Sequence, residues 1–427
     1  MAEAEKRARR PLLALLVAQA ISLLGSQLTV VALPWFVLQT TGSATKTGLT
    51  GVAAAVPVAL AALFGGQLVD RLGARRVSIA ADLAGCLALA AIPTLHHTIG
   101  LAFWQLLALV FAGRLLTVPG TTARDSLLPD LLAAAALPPE RVNAAAQATR
   151  NAAQLLGPPL AGVLIAAVGA SSALWFDAVS FALSAGIVAA AVARRAPRDA
   201  PVGSGEPLRH AAGGTFLAGW AFLARDRLLL TVALAGTVVN AVGAPLGAVV
   251  LPVYAARALD SPVALGLLFA ALGGGTLGGT LLFVALGQRL SRRRVYAASY
   301  VALAVPLWAL APLPGLALAF AALAMMGLAV GPLNPLITTI EQERIPAALR
   351  GRVFGTILAL ANVATPLGIL AASAAIDRFG LRATLLGLAA LLSLVAVQAL
   401  SNPALRALDR PARVAATPVQ TLDEPGA

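Results

Sequence analysis

The sequence predicts an all-α integral membrane protein, in which twelve transmembrane helices form two pseudo-symmetric six-helix bundles. The chain of 427 residues is 59% hydrophobic, only 11% of its residues are charged, and its mean hydropathy is +0.86. A soluble domain carries about 25% charged residues and cannot bury this much apolar surface in one core. Long apolar runs and an internal repeat, described next, complete the prediction.

Twelve runs are apolar and long enough to cross a bilayer, which takes about 20 mostly apolar residues. The ninth and tenth runs are separated by the segment APLPG at 311–315, because Pro and Gly interrupt helices. In chain order the runs cover approximately residues 12–35, 48–68, 77–95, 100–120, 151–168, 172–193, 228–253, 263–285, 295–311, 315–338, 354–375 and 383–400.

The basic residues are divided unevenly between the two sets of loops. Lys46, Arg257, Arg378 and Arg382 fall on one side and Arg114 lies within a run, whereas the rest of the 31 Lys and Arg residues lie on the side of the termini. Because cytoplasmic loops are enriched in Lys and Arg, we expect a multi-pass protein of the plasma or inner cell membrane with both termini cytoplasmic. The net charge of +13 is spread over these loops, so no nucleic-acid partner is expected.

The two parts of the chain repeat each other. A shift of 218 residues places Ser43 on Ser261, and a shift of 211 places Gly169 on Gly380. The segment between the parts is rich in Pro, Gly and charge, which is typical of a linker. The expected organisation is an N-terminal six-helix bundle at 1–193, a cytoplasmic linker with an amphipathic helix at 194–227, a C-terminal six-helix bundle at 228–401 and a disordered cytoplasmic tail at 402–427.

The segment GGQLVDRLGARR, residues 65–76, separates two apolar runs. Gly65 and Gly66 predict a close approach of two helix ends, and Gly73 predicts a turn with positive φ. Asp70 can accept hydrogen bonds from a helix N-terminus or from arginine. The alternative is a plain basic loop that only sets the topology. The basic residues of the segment suit an anionic cytoplasmic surface; they are Arg71, Arg75 and Arg76.

This segment resembles the signature loop between helices 2 and 3 of the major facilitator superfamily. The resemblance implies the major facilitator fold, and it implies that Asp70, Arg71 and Arg75 latch the two halves in the outward-facing state. The segment GPPLAG at 157–162 resembles the fifth-helix motif of drug–proton antiporters, in which Gly157, Pro158 and Gly162 would bend the helix and pack it closely. Four longer segments are similar to the macrolide and enterobactin exporter branch; they are 33–49, 136–162, 175–185 and 343–355.

The resemblance implies a secondary active transporter that exports a small amphiphilic or lipophilic organic compound, a drug or a secondary metabolite, by alternating access and proton antiport. The implied partners are this small molecule, protons and the lipid bilayer, with the chain acting as a monomer. Uptake of a small organic solute remains an alternative, since no residue identifies the substrate. A sensor or scaffold without transport is another, since the first run carries no acid. No catalytic constellation, P-loop or metal cluster is present in the sequence, so we expect neither an enzyme nor a cofactor.

Ionisable residues at lipid depth are costly and are functional candidates; three fall inside the predicted spans, Asp82, Arg114 and Asp177. Asp82 and Arg114 lie about 8 and 9 Å from the cytoplasmic ends of their runs at 1.5 Å per residue, so an ion pair between them, or between Arg114 and Asp70, is expected. Asp177 is either a hydrogen-bonded structural acid or a proton carrier.

The helices that line the cavity in this superfamily contribute few polar groups. Their side chains predict an uncharged, mostly apolar pocket that suits an amphiphilic or lipophilic compound. The candidates are Gln27, Trp35, Gln105, Asn240 and Asn334.

Overall fold

A computed structural model describes residues 2–135, 137–192 and 214–409, and no β-strand occurs in these ranges. The α-helices are α1 Ala2–Thr41, α2 Ala44–Leu72, α3 Ala74–Thr98, α4 Phe103–Ala135, α5 Pro139–Val168, α6 Ala170–Ala191, α7 Gly214–Arg225, α8 Arg227–Pro245, α9 Leu251–Tyr254, α10 Pro262–Leu286, α11 Arg292–Leu310, α12 Leu316–Arg344 and α13 Arg350–Ser401. Two π-helical segments, Leu246–Val250 and Ala255–Leu259, continue α8 and α9 as one helix. Short 3-10 helices lie at Gly287–Arg289, Ala347–Leu349 and Pro403–Asp409.

Ten helices of the described ranges are long and apolar enough to cross a membrane. The all-helical prediction is confirmed at this level, and two features separate ten from the predicted twelve. The last two predicted runs both lie in α13, which is interrupted by a non-helical Gly380 with φ 84° and ψ 165°. The ninth run is α11, whose three leading arginines lower its hydropathy. The predicted break at 311–315 is confirmed between α11 and α12.

The helices pack in two sets. In the first helix set, α1–α6, helix α6 packs against α1 and α3, and α4 packs against α2 and α3. In the second helix set, α7–α13, helix α10 packs against α12, and α13 packs against α8 and α11. The two sets meet chiefly where α5 contacts α10 and where α2 contacts α13.

The bundle has two ends, named here by their turns. The hairpin end carries residues 65–76, where α2 turns into α3, and the opposite end carries the turn between α1 and α2 at residues 42–43. At the opposite end the two sets touch backbone to backbone. A Cβ atom on Gly162 would lie 2.6 Å from the Pro262 carbonyl oxygen, and one on Gly266 would lie 2.3 Å from that of Pro158. Only glycine permits this approach.

Two predictions for the connecting segments are tested in part. Residues 194–213 of the predicted linker lie outside the described residues, and its last part forms α7, where the amphipathic helix is predicted. This helix packs against α13 and α8, with Leu223 fully buried. The predicted disorder of the tail is wrong for its first residues, because Pro403–Asp409 is a 3-10 helix that buries Leu405 and Leu408. Residues 410–427 lie outside the described ranges.

Candidate functional site

The hairpin confirms one glycine prediction and contradicts another. Gly73 has φ 83°, and its N–H donates to the Val69 carbonyl at 2.9 Å, which ends α2. Gly66 has no heavy atom within 4 Å of a built Cβ, and the nearest atom to Gly65, on Thr122, is 3.7 Å away. The close approach predicted at Gly66 is therefore wrong, whereas Gly65 is buried against Pro119 and Thr122 of α4 at a spacing that would also admit a Cβ.

Arg75 ties the hairpin to the end of α6. Its Nε donates to the Val192 carbonyl and its Nη2 to the Ala189 carbonyl, both at 2.6 Å. These carbonyls are at a helix C-terminus, where they lack intrahelical partners and favour a cation. Asp70, Arg71 and Arg76 are exposed, and within the described ranges none of them forms a hydrogen bond or ion pair. The hairpin is thus held by the first helix set alone in this conformation.

Asp82 forms a buried ion pair, but with a different arginine from the one predicted. Arg124 Nη1 donates to both carboxylate oxygens of Asp82, at 2.7 and 2.9 Å, and Ser184 Oγ donates to Oδ2 at 2.6 Å. Asp82 is 1% exposed and Arg124 is 5% exposed. The predicted pairing of Arg114 with Asp82 or Asp70 is wrong, since α4 extends well past the predicted run and brings Arg124 to the depth of Asp82. The triad joins α3, α4 and α6.

Asp177 is also fully buried, in α6, closer to the opposite end. Its Oδ2 accepts a hydrogen bond from Thr29 Oγ1 of α1, and its Oδ1 accepts one from Ser180 Oγ at 3.1 Å. Arg114 of α4 lines the same small cavity as Asp177 and Thr29. The structure therefore places Arg114 near Asp177, at a different depth from the Asp82 triad.

The predicted α5 motif lies where the two sets meet. Pro158 and Gly162 face the first turns of α10, with the short backbone distances given above. Gly157 faces the other way, toward Gln27 of α1, whose Cβ would be 2.4 Å from a Cβ on the glycine. The glycines of the motif thus let α5 pack closely against α1 on one side and α10 on the other.

The opposite end is held by a carboxylate that the sequence analysis did not single out. Asp377 of α13 accepts hydrogen bonds from Ser43 Oγ at 3.0 Å, from Ala44 N at 3.1 Å and from Thr45 N at 2.8 Å. It therefore caps the N-terminus of α2 from the other helix set. Arg257 lies 3.9 Å from Asp377 and donates to the Gly42 carbonyl at 3.3 Å. No motif in the sequence around Asp377 predicts this contact.

The five predicted cavity residues differ in their surroundings. Trp35 is 3% exposed and lies in the packed interior of this conformation, and its assignment to the cavity stays a prediction. Gln105 accepts a hydrogen bond from Ala102 N at 3.0 Å, at the start of α4. Asn240 and Asn334 are exposed, and their assignment to the cavity stays a prediction. No cluster of three or more His, Cys, Asp or Glu side chains that could hold a metal occurs in the described part of the chain.

Comparison with known proteins identifies the family. The model of the transmembrane secretion effector family matches residues 9–425. The chain belongs to this family of the major facilitator superfamily. It is a multi-pass membrane transporter and not an enzyme.

Two relatives and one solved structure illustrate the similarity. The multidrug efflux pump Tap of Mycobacterium tuberculosis (strain ATCC 25618 / H37Rv) is 34% identical over 404 residues, which cover 94% of this chain and 95% of that protein. Macrolide efflux protein A of Streptococcus pyogenes is 24% identical, with 85% and 88% covered. The crystal structure of the nucleoside transporter NupG has a TM-score of 0.75 at 13% identity and covers 91% of this chain and 98% of that chain, which shows the shared fold.

Proposed function

We propose that this protein exports small amphiphilic or lipophilic organic compounds across the cell membrane by proton antiport. The observation that carries the proposal is the 34% identity to the multidrug efflux pump Tap over 94% of the chain, together with the similarity to a macrolide efflux protein. In this chain, the predicted cavity residues Gln27, Asn240 and Asn334 are uncharged. Such a cavity favours compounds that are apolar with a few polar groups.

The contacts between the helix sets support alternating access. At the opposite end, Asp377 and the glycines of α5 and α10 hold the sets together. At the hairpin end, Asp70 is exposed and no hydrogen bond joins it to the second helix set in the described residues. We infer that this conformation is closed at the opposite end, and that Asp70 engages the second set when the hairpin end closes. The two helix sets then act as the two halves of the transporter.

The orientation follows from charge. The hairpin end carries Arg71, Arg75 and Arg76, and the positive-inside rule places such an end in the cytoplasm. With α13 counted as two crossings divided at Gly380, and with α11 as a further crossing, the chain spans the membrane twelve times and both termini are cytoplasmic. We further propose that the protein acts as a monomer in the lipid bilayer and needs no cofactor besides the proton gradient.

Reconstitution tests the proposal. The purified full-length protein is placed in liposomes, a pH gradient is imposed, and the movement of tetraphenylphosphonium and of erythromycin is followed. Accumulation that depends on the gradient and has the direction of export supports proton-driven export. Accumulation in the opposite direction indicates an uptake permease, and the absence of any movement indicates a sensor or scaffold; either result contradicts the proposal.

A further inference from the structure

A small cavity lies among α1, α3, α4 and α6 in the first helix set, with a volume of about 30 Å³. A space of this size holds one or two water molecules and excludes an organic substrate. Its polar lining residues are Ser26, Thr29, Arg114, Thr117 and Asp177. The other lining residues are apolar, so water in this cavity would be bound by these polar side chains.

The carboxyl group of Asp177 is held in a way that tolerates either protonation state. Thr29 Oγ1 donates to one carboxylate oxygen, and Ser180 Oγ lies 3.1 Å from the other and 2.8 Å from the Asp177 main-chain carbonyl, to which it can also donate. A hydroxyl group can also accept a hydrogen bond, so either side chain can rotate its proton away and accept from a carboxylic acid. Asp177 can thus gain or lose a proton without any movement of the backbone.

The charged groups that face Asp177 come from two neighbouring helices. Arg114 of α4 lines the same cavity, and its positive charge favours the ionised carboxylate of Asp177. The negative charge of Asp82 in α3 opposes it more weakly. Helix α1 contributes the hydroxyls of Ser26 and Thr29 and the apolar side chain of Leu33 to the lining, and no charged group. No ion pair joins Arg114 and Asp177 directly in the described ranges. The charge of Asp177 is therefore balanced across a gap, and it can change without breaking a direct contact.

The second buried acid of this region lacks this freedom. Asp82 is bound through both oxygens by Arg124 and also by Ser184. A proton on Asp82 would leave Arg124 as a buried cation without its counter-charge, which is strongly unfavourable. Asp82 is consequently a fixed part of the helix packing, whereas Asp177 is suited to titrate.

Protonation of Asp177 also affects a helix that contacts both sets. A hydrogen bond to a carboxylate is stronger than one between neutral groups, so a proton on Asp177 weakens its link to Thr29 of α1. Helix α1 packs against α5 and α6 in its own set and contacts α9 and α10 in the second set. The proton therefore changes how firmly α6 holds the helix that lies against the other half.

We propose that Asp177 is the proton-binding group of the transport cycle, with Arg114 as its counter-charge across the cavity. In each cycle the carboxylate takes one proton from water on one side of the membrane and returns it to water on the other side, and no other bond forms or breaks. This assignment rests on the proposed proton-driven export and adds to it the residue that carries the proton.

The first test needs no substrate. Infrared difference spectra of the full-length protein in liposomes are recorded between alkaline and acidic pH. A band of a buried protonated carboxylic acid is expected in the wild type, and it is expected to be lost in Asp177→Asn. The matched control Asp125→Asn changes an exposed acid of α4 and retains the band. A band that persists in Asp177→Asn overturns the assignment.

The second test follows transport of tetraphenylphosphonium and erythromycin by the same preparations. Asp177→Asn is expected to lose accumulation driven by the pH gradient and to exchange the probes at a rate that does not depend on pH, whereas Asp177→Glu restores the pH dependence. If Asp177→Asn does not fold, the Thr29→Val variant tests the assignment instead. This variant removes the hydroxyl that donates a hydrogen bond to the Asp177 carboxylate. The pH at the midpoint of the plot of probe exchange rate against pH is therefore expected to rise, and an unchanged midpoint overturns the assignment.

The two proposals fail in different ways. Gradient-driven accumulation that Asp177→Asn retains contradicts only the residue assignment. A wild type that moves the probes without any dependence on the gradient contradicts proton antiport itself, and the assignment with it.

Discussion

The contact made by Asp377 leads to a quantitative prediction about the conformational equilibrium. Asp377→Ala removes three hydrogen bonds to the N-terminus of α2. Loss of such a cap costs about 1 kcal/mol, and loss of a negative charge at a helix N-terminus costs about 0.3–1 kcal/mol more. Helix α2 itself persists, because Ser43 also caps it through Lys46 N.

Together these two costs amount to about 1.3–2 kcal/mol, and they destabilise only the conformation in which the opposite end is closed. When the opposite end opens, Asp377 separates from α2, so its contacts stabilise the closed state alone, and only such a difference can shift a population. Since 1.4 kcal/mol corresponds to a factor of ten, Asp377→Ala is expected to raise the population opened at this end by about 10–30-fold.

Alkylation of a buried cysteine measures this population. Ser373 is fully buried and faces Gly48 across the contact between the helix sets. In a Cys86→Ser background, Ser373→Cys reacts with a maleimide only when the opposite end opens. The Asp377→Ala variant is expected to react about 10–30-fold faster, in proportion to the open population. An unchanged rate refutes the reasoning.

The graded controls follow from the same contacts. Asp377→Asn keeps an acceptor oxygen, and asparagine caps helices well, so its effect should be smaller. Arg257→Gln removes a partly exposed ion pair with an N–O distance of 3.9 Å, which is worth about 0–1 kcal/mol, and an exposed 3.3 Å hydrogen bond to the Gly42 carbonyl. A larger effect from Arg257→Gln than from Asp377→Ala would contradict the assignment of the contact to the helix cap.

Three further predictions concern other contacts. Asp70→Asn should leave thermal unfolding unchanged, because Asp70 is exposed here, yet slow transport of the probes; an unchanged transport rate removes its role as a latch. Gly162→Val places a Cβ 2.6 Å from the Pro262 carbonyl oxygen, so the opposite end cannot close fully and the buried cysteine should react faster; a wild-type rate contradicts this contact. Asp82→Asn leaves Arg124 as an unpaired buried cation and should destabilise the protein by about 3–5 kcal/mol, most of which a second change, Arg124→Met, recovers; equal stability of single and double variants in thermal unfolding argues against the pair.

Local structure could be predicted from the sequence where a residue type determines it. Ser43 and Ser261, aligned by the 218-residue repeat, cap α2 and α10 in the same way, each by accepting from the backbone N–H three residues later. Gly169 and Gly380, aligned by the 211-residue repeat, both have φ 84°. Serine caps and positive-φ glycines are local requirements, so they are visible without knowledge of the tertiary structure.

Partners that are distant in sequence could not be predicted. Arg124 follows the predicted end of the fourth run at residue 120, but α4 continues to Ala135, so hydropathy alone placed Arg124 outside the membrane. Asp377 lies 334 residues from Ser43, and its partner depends on how α13 meets α2. Apolar helices are also hydrophobic on all sides, so the sequence does not distinguish a cavity wall from a packed interface.

Helix α6 connects the hairpin at residues 65–76 with the buried acid Asp177. Asp177 lies in its first half, and Arg75 of the hairpin binds the carbonyls of Ala189 and Val192 at its end, about 18 and 22 Å away at 1.5 Å per residue. Ser184, between them, belongs to the buried Asp82 triad, which fixes α6 against α3 and α4. The hairpin, the triad and Asp177 are therefore joined in one unit through α6, and Thr29 links Asp177 to α1. A proton on Asp177 consequently acts through the position of α1 relative to this unit, rather than by deforming the hairpin.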